Sequence, residues 1–562
     1  SWPYHNMTKY FLLFSLFITI TSSLSGKNLK LANTFSDGIV LQRDKPINIW
    51  GSATPNKSIN LIFGNKTKTS QSDDAGKWTI TIGPLKASSE PRAMSVKSEG
   101  NEIKIEDILV GEVWVCGGQS NMAWTLRGST NADIEIPAAN YPEIRFLKLP
   151  NVASPTELDD FPKGKPTDWI GKWQKAIPPK VENCSAVAYY FARRLHRQLG
   201  VPIGIIENSW GGTMAQHWCN KNTLKMIPEM EEDIKKFDAR YQSWIDGGKE
   251  EGAKKRLAQD LAEWEKKSAE AKEKGEKEPR KPNANEYKNP GEGRQPAGMY
   301  NGSLIPISNA TVRGILFYQG ENNSFGTSWK PFYRTFPSVI SDWRKAFQDP
   351  DLHFGIIQIA GWSNRRSMEY DMNHHCNVVR EIQLDTWLNT NKTGLIVTYD
   401  TNSNGSIHPG RKHPVGERSA RWALSEVYKI KKFGSNDQLE WQGPLFKEAK
   451  FESGKAYVTF VEGTDRGLRL DQDVDVGFVL AGEDKKFHHA KAKITQSKIN
   501  KKPQIEVWCD EVENPVAVRY AFSNLPIGGL MNARELPAYP FRSDNWPMTP
   551  HQSTGSYLRK KE

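Results

Sequence analysis

The sequence predicts an α/β protein, a mostly parallel sheet with helices on both faces, flanked by two β domains. Three textures along the chain predict it. Residues 27–108 carry short alternating strands and no helical segment. From Gly111 strands alternate with amphipathic helical stretches, and after about Gly434 short strands return. At 562 residues the chain is too long for one core, and about three or four domains are expected.

At the N-terminus, Lys9 precedes an apolar run from Tyr10 to Ile20, and Ser23 and Ser25 stand where a signal peptidase would cut before Gly26. Residues 1–25 therefore read as an export signal with a leader, Met7 being the expected start. No cysteine follows the small residues, so a lipid-anchored form is not expected, and no other apolar run is long enough to span a bilayer. Secretion, or delivery to a periplasm, is the expectation.

Residues 27–108 read as a β-sandwich, with strands at Ile47–Trp50, Ser58–Phe63, Trp78–Ile82 and Glu102–Ile105 separated by turns such as Asp73-Asp-Ala-Gly76. Residues 109–433 read as the α/β domain. Residues 185–199 repeat apolar positions at helical spacing and stop at Gly200; residues 201–206 follow as a buried strand. Residues 226–296 interrupt this core. Residues 250–274, rich in Ala, Glu, Lys, Leu and Gln with Leu257, Leu261 and Trp264 at helical spacing, predict an exposed helical insertion ending in a Pro-, Asn- and Gly-rich linker. Strands return at residues 313–318, 354–359 and 394–399, and residues 434–548 predict a second β domain.

Composition removes several classes. With 37% hydrophobic and 25% charged residues the chain is ordinary for a globular protein. Of the 19 tryptophans, most are expected in cores, although their flat faces also suit sugar rings. The net charge of +11 invites a nucleic-acid reading. Yet residues 231–290, the most charged segment, hold 15 Lys and Arg against 15 Asp and Glu, and no basic run interleaves with aromatics. No nucleic-acid partner is expected. Five cysteines without close spacing exclude a disulfide scaffold and leave at least one thiol free.

The chemistry concentrates in loops that follow predicted strands. Gly111-Glu-Val-Trp-Val-Cys-Gly-Gly-Gln-Ser-Asn-Met122 reads as a strand ending in a glycine turn with Ser120 at its tip, a candidate nucleophile. Glu207-Asn-Ser-Trp-Gly-Gly-Thr213 offers backbone N–H groups, Tyr318-Gln-Gly-Glu-Asn-Asn323 offers amides, and Ser406-Ile-His-Pro409 supplies a histidine ahead of a helix at residues 415–424.

These motifs, together with Arg380-Glu-Ile-Gln383, residues 35–43 and residues 536–544, resemble in order and spacing the sialate O-acetylesterase family of SGNH hydrolases. The resemblance implies a flavodoxin-like SGNH sheet and a carbohydrate esterase that removes O-acetyl groups from sugars without a cofactor or metal. It implies Ser120 as nucleophile and His408 as general base. It also implies an oxyanion hole from the N–H of Ser120, an N–H of Gly211 or Gly212, and a side-chain amide of Gln319 or Asn323. Gln119, Asn121, Glu321 and Arg380 are expected to touch substrate, Arg380 being also readable as structural. The family usually has an acid two residues before the histidine, and this chain has Ser406 there. Asp400 is the favoured substitute, ahead of Glu417 and Glu381, and reads equally as a turn residue; a backbone carbonyl on His408 would instead leave a Ser-His dyad. His413 is a rival base. The pair His374-His375 could suggest a metal, though adjacent helical positions diverge. The rivals in function are a carbohydrate-binding protein on an inactive esterase fold and an esterase for other acyl or aryl esters.

Overall fold

The structure is a computed structural model and describes residues 29–165, 168–363, 374–402, 406–471 and 476–547. The expected export signal lies outside the described residues.

The central sheet contains β1 (Asn101–Gly118), β2 (Tyr141–Lys148), β3 (Trp173–Ala176), β4 (Ile203–Ser209), β5 (Gly314–Tyr318), β6 (His353–Ile357) and β7 (Thr393–Ile396), in the spatial order β3-β2-β4-β1-β5-β6-β7. All neighbours are parallel except β3, which runs antiparallel to β2 at the edge. Strands β4, β5 and β6 are buried nearly throughout, as sheet strands covered on both faces must be. Helices α1 (Ala186–Leu199) and α6 (His413–Trp422) cover one face with Tyr190, Phe191, Val415 and Trp422. Helices α4 (Trp329–Ala346) and α5 (Cys376–Leu388) cover the other with Phe332, Phe336, Val379 and Ile382. The ends of α1 follow from its sequence, since the Ser185 hydroxyl caps the Ala188 N–H and Gly200 closes the helix at φ +66°.

β1 is longer than the sequence suggested and runs through the expected boundary at residue 108. Its first half pairs with strands Ser88–Ser98 and Val40–Gln42 of the N-terminal region, and its second half is the middle of the α/β sheet. A single strand thus carries rigidity from one region into the next. At the junction the buried carboxylate of Glu112 is held by Arg43, Arg313 and Tyr428. Burial alone would raise its pKa, but these partners win and it is lowered.

Residues 226–296 form a hairpin of α2 (Glu231–Asp246) and α3 (Lys249–Lys274). Its charged surface is laced with i,i+4 pairs such as Glu231–Lys235 and Glu263–Lys267. The expected linker after it is ordered into short turns and packs back on the core, Ala297 N–H donating to the Gln216 carbonyl. In the C-terminal region one four-stranded sheet joins Phe446–Glu452, Lys455–Phe460, Pro503–Trp508 and Lys491–Gln496, and a second joins Phe487–His489, Phe478–Ala481, Ala517–Tyr520 and Phe541–Arg542. Among the described residues no helix is long and apolar enough to cross a membrane. All five cysteines are buried and free.

Candidate active site

The site begins as a matter of register. Gly118 of β1 is the Cα partner of both Ser209 on β4 and Tyr318 on β5, so three adjacent strands end level. The loops that follow, 119–122, 210–213 and 319–323, therefore leave the sheet side by side. The turn needs glycine: Gly118 sits at φ +131°, and a Cβ there would meet the Tyr318 carbonyl oxygen at 2.1 Å. Beyond it, the Gln119 N–H donates to that same carbonyl and Ser120 opens a short helix, half-buried.

His408 reaches Ser120 from the loop after β7. Its Nε2 lies 2.8 Å from Ser120 Oγ. The imidazole stacks on Trp124, ring centroids 5.2 Å apart and planes 21° from parallel. Burial, helped by the charge on Lys412, holds the His408 pKa below its ordinary value of 6.5, so the ring stays neutral to lower pH.

The acid position holds a turn-former. Ser406 Oγ accepts the His408 N–H at 3.0 Å, bracing the loop from inside. Each of the three carboxylates offered by the sequence as substitutes pairs with an arginine. Both oxygens of Asp400 accept from Arg418 at 2.7 Å. Burial opposes ionisation of Asp400, but Arg418 outweighs it and its pKa is lowered. Glu417 pairs with Arg194, and Glu381 with Arg542. His413, the rival base, packs edge-on against Tyr190 with Glu417 3.6 Å away.

Of the two glycines in the 210–213 loop, Gly211 faces the nucleophile and Gly212 faces Arg294. A Cβ on Gly211 would lie 3.5 Å from Ser120 Cβ, so the 210–213 loop lines the space in front of the hydroxyl. The amides of Gln319 and Asn323, expected at the oxyanion, are bonded to protein partners. Gln319 Nε2 donates to Gln119 Oε1 and the Thr213 carbonyl, and Asn323 Nδ2 donates to Gln216 Oε1 and the Ser328 carbonyl. Both residues are fully buried. They shape the loops from beneath.

The side chains expected to touch substrate also bond within the protein. Gln119 Oε1 also accepts from Gly320 and Asn322 N–H groups. Arg380, 1% exposed, donates to the carbonyls of Ala360, Ser523 and Asn524, tying α5 to the C-terminal region. Burial lowers its pKa to about 10. Asn121 and Glu321 are buried, Asn121 Nδ2 donating to Glu321 Oε1 at 2.6 Å and to the Ile407 carbonyl at 3.0 Å. One residue escaped the sequence reading altogether: Lys412, 1% exposed, donates from Nζ to Asn121 Oδ1 at 2.5 Å. Its only signal was its place four residues after His408, on the way into α6. His374 and His375 pack on Trp362 and Trp329, and among the described residues no group of three or more His, Cys, Asp or Glu could hold a metal.

No family model matches the chain. It is 25% identical over 492 residues to sialate O-acetylesterase of Mus musculus, covering 82% of each chain, and 24% identical over 453 residues to that of Homo sapiens, covering 75% of this chain and 74% of the other. The chain is related to the sialate O-acetylesterases. Its fold matches a solved structure described as a novel carbohydrate acetylesterase from Xanthomonas citri at a TM-score of 0.72 and 29% identity, over 92% of this chain and 100% of that one. The match covers most of the chain, so the likeness is one of overall fold.

Proposed function

We propose that this protein is a carbohydrate acetylesterase that works through Ser120 and His408, acting outside the cytoplasm on O-acetyl groups of a sugar or polysaccharide. The observation that carries the reading is the 2.8 Å contact between His408 Nε2 and Ser120 Oγ at the common edge of three strands. The relatives' names supply the substrate class, and the apolar stretch at residues 10–20 supports export.

In the proposed reaction His408 Nε2 takes the Ser120 proton as Oγ attacks the acetyl carbonyl. The carbonyl oxygen becomes an oxyanion facing the N–H groups of Ser120 and Gly211. As the C–O bond to the sugar breaks, the imidazolium returns its proton to the departing sugar oxygen. His408 then deprotonates water, which attacks the acetyl-serine; acetate leaves and Oγ regains a proton. Ser406 and the Trp124 stack orient the ring, making this a Ser-His dyad.

Ser120→Ala is expected to reduce acetate release from 4-nitrophenyl acetate and from acetylated glycans by about 10,000-fold or more. Wild-type turnover by that variant would remove Ser120 from the chemistry. That no carboxylate bonds His408 among the described residues also favours a second reading, a glycan binder on an inactive fold. A fluorophosphonate probe separates the two, since labelling at Ser120 requires an activated hydroxyl.

A further inference from the structure

Behind Ser120 runs a buried polar chain that the dyad does not itself use. Lys412 Nζ donates to Asn121 Oδ1 at 2.5 Å, and Asn121 Nδ2 donates to both Glu321 Oε1 at 2.6 Å and the Ile407 carbonyl at 3.0 Å. The Asn121 carboxamide thus joins the nucleophile turn, the 319–323 loop and the residue preceding His408. All three side chains are at most 3% exposed. Burying an ammonium away from direct contact with a carboxylate is costly, and hydrophobic side chains of similar size would fill the space more cheaply.

We propose that Lys412 is a positioning residue: through Asn121 it holds the Ser120 turn and the His408 loop in mutual alignment, and its charge favours the neutral imidazole. This rests on the Ser-His reading above. In most serine hydrolases an acid orients the histidine. Here the acid position is a serine and the nearby carboxylate of Asp400 is closed off by Arg418. The clamp on Asn121 connects the two catalytic loops and can supply the alignment.

The charges around it fix the sign of a pH effect. Lys412 faces Glu321 across Asn121, lies 5.3 Å from the Tyr318 ring centre and bears electrostatically on His408, while Asp400 and Arg418 pair with each other. Burial lowers the Lys412 pKa to about 7, Glu321 opposing the shift, and burial raises Glu321 to about 7 against its bond from Asn121. Below pH 7 the lysine is therefore mainly charged and Glu321 mainly neutral. A positive charge penalises the imidazolium, so removing it must raise the His408 pKa.

The test uses the full chain and 4-nitrophenyl acetate. Lys412→Met is expected to lower kcat at least about tenfold with KM within about twofold, and to move the acid limb of kcat/KM upward by about half a pH unit. Lys412→Gln keeps a hydrogen-bonding end without charge and carries the same limb shift, with a smaller loss of kcat. Asn121→Ala breaks the clamp but leaves the charge, so kcat falls while the limb stays. An unmoved acid limb in folded Lys412→Met and Lys412→Gln, or failure of both to fold, overturns the proposal in favour of a lysine that only supports packing. Wild-type turnover by Ser120→Ala would instead undo the underlying mechanism, and the two failures are thereby distinct.

Discussion

At Ser120 the hydroxyl lies 2.8 Å from His408 Nε2, and the contacts that brace the histidine's loop and ring among the described residues are neutral ones. Ser406 fixes the loop through its hydroxyl and Trp124 fixes the ring plane by stacking. Asp400, the substitute favoured by sequence, instead forms a two-pronged pair with Arg418, whose second role is a bond to the Val397 carbonyl. Asp400→Asn is therefore expected to act on stability: breaking a largely buried pair leaves Arg418 uncompensated at a cost of about 1–3 kcal/mol, readable as a lower melting temperature. The acid limb of kcat/KM should stay below pH 6.5 in that variant as in the wild type, because the lowered His408 pKa comes from burial and Lys412. A limb displaced upward together with a large loss of kcat would return Asp400 to the mechanism. Sequence could name Ser120 and His408, since each stands in a short motif whose residue types serve little else. It could not choose among carboxylates, because that choice depends on which arginine each one meets across the fold.

At the scale of elements, the three level strand ends do the positioning. The glycines there divide into two kinds. Gly118 has positive φ and a carbonyl where a side chain would be, so Gly118→Ala should not give folded protein in useful yield. Gly211 has room, the nearest atom to an added methyl being Ser120 Cβ at 3.5 Å. Gly211→Ala should then keep the wild-type melting temperature within about 2 °C and lower kcat, because the methyl occupies the space in front of the hydroxyl. Equal kcat would show that the acetyl group approaches from another side. The secondary structure was readable where periodicity was strong, as in α1 with its Ser185 cap and Gly200 stop. Strands β2 and β3 near the edge are not legible in the sequence, since residues 141–148 and 173–176 mix apolar and charged residues without regular alternation.

For the whole molecule, the C-terminal region is bound to the sheet by buried polar contacts as well as apolar ones. Arg380 serves the Ser523 and Asn524 carbonyls, Arg542 pairs with Glu381, and the Tyr539 hydroxyl donates to the Leu395 carbonyl on β7. Arg380→Met is expected to destabilise the protein by about 3 kcal/mol or more, since several buried carbonyls lose their donor. KM for a small ester should stay near wild type in whatever folds; a selective rise in KM would restore Arg380 as a substrate contact. At the other end β1 unites the N-terminal strands with the central α/β sheet, which residue texture near position 108 conceals because a continuous strand leaves no turn signal.

Local chemistry along the chain was enough to reveal an α/β centre between β regions, a serine on a glycine turn and a histidine placed late. Those features depend on neighbours within a few residues, where periodicity, turns and motifs are written directly. The contacts of Lys412, Asn121, Glu321, Asp400 and Arg380 arise from folding alone. Each is a polar group whose meaning is set by the partner it finds when water is removed, and those partners lie up to nearly three hundred residues away.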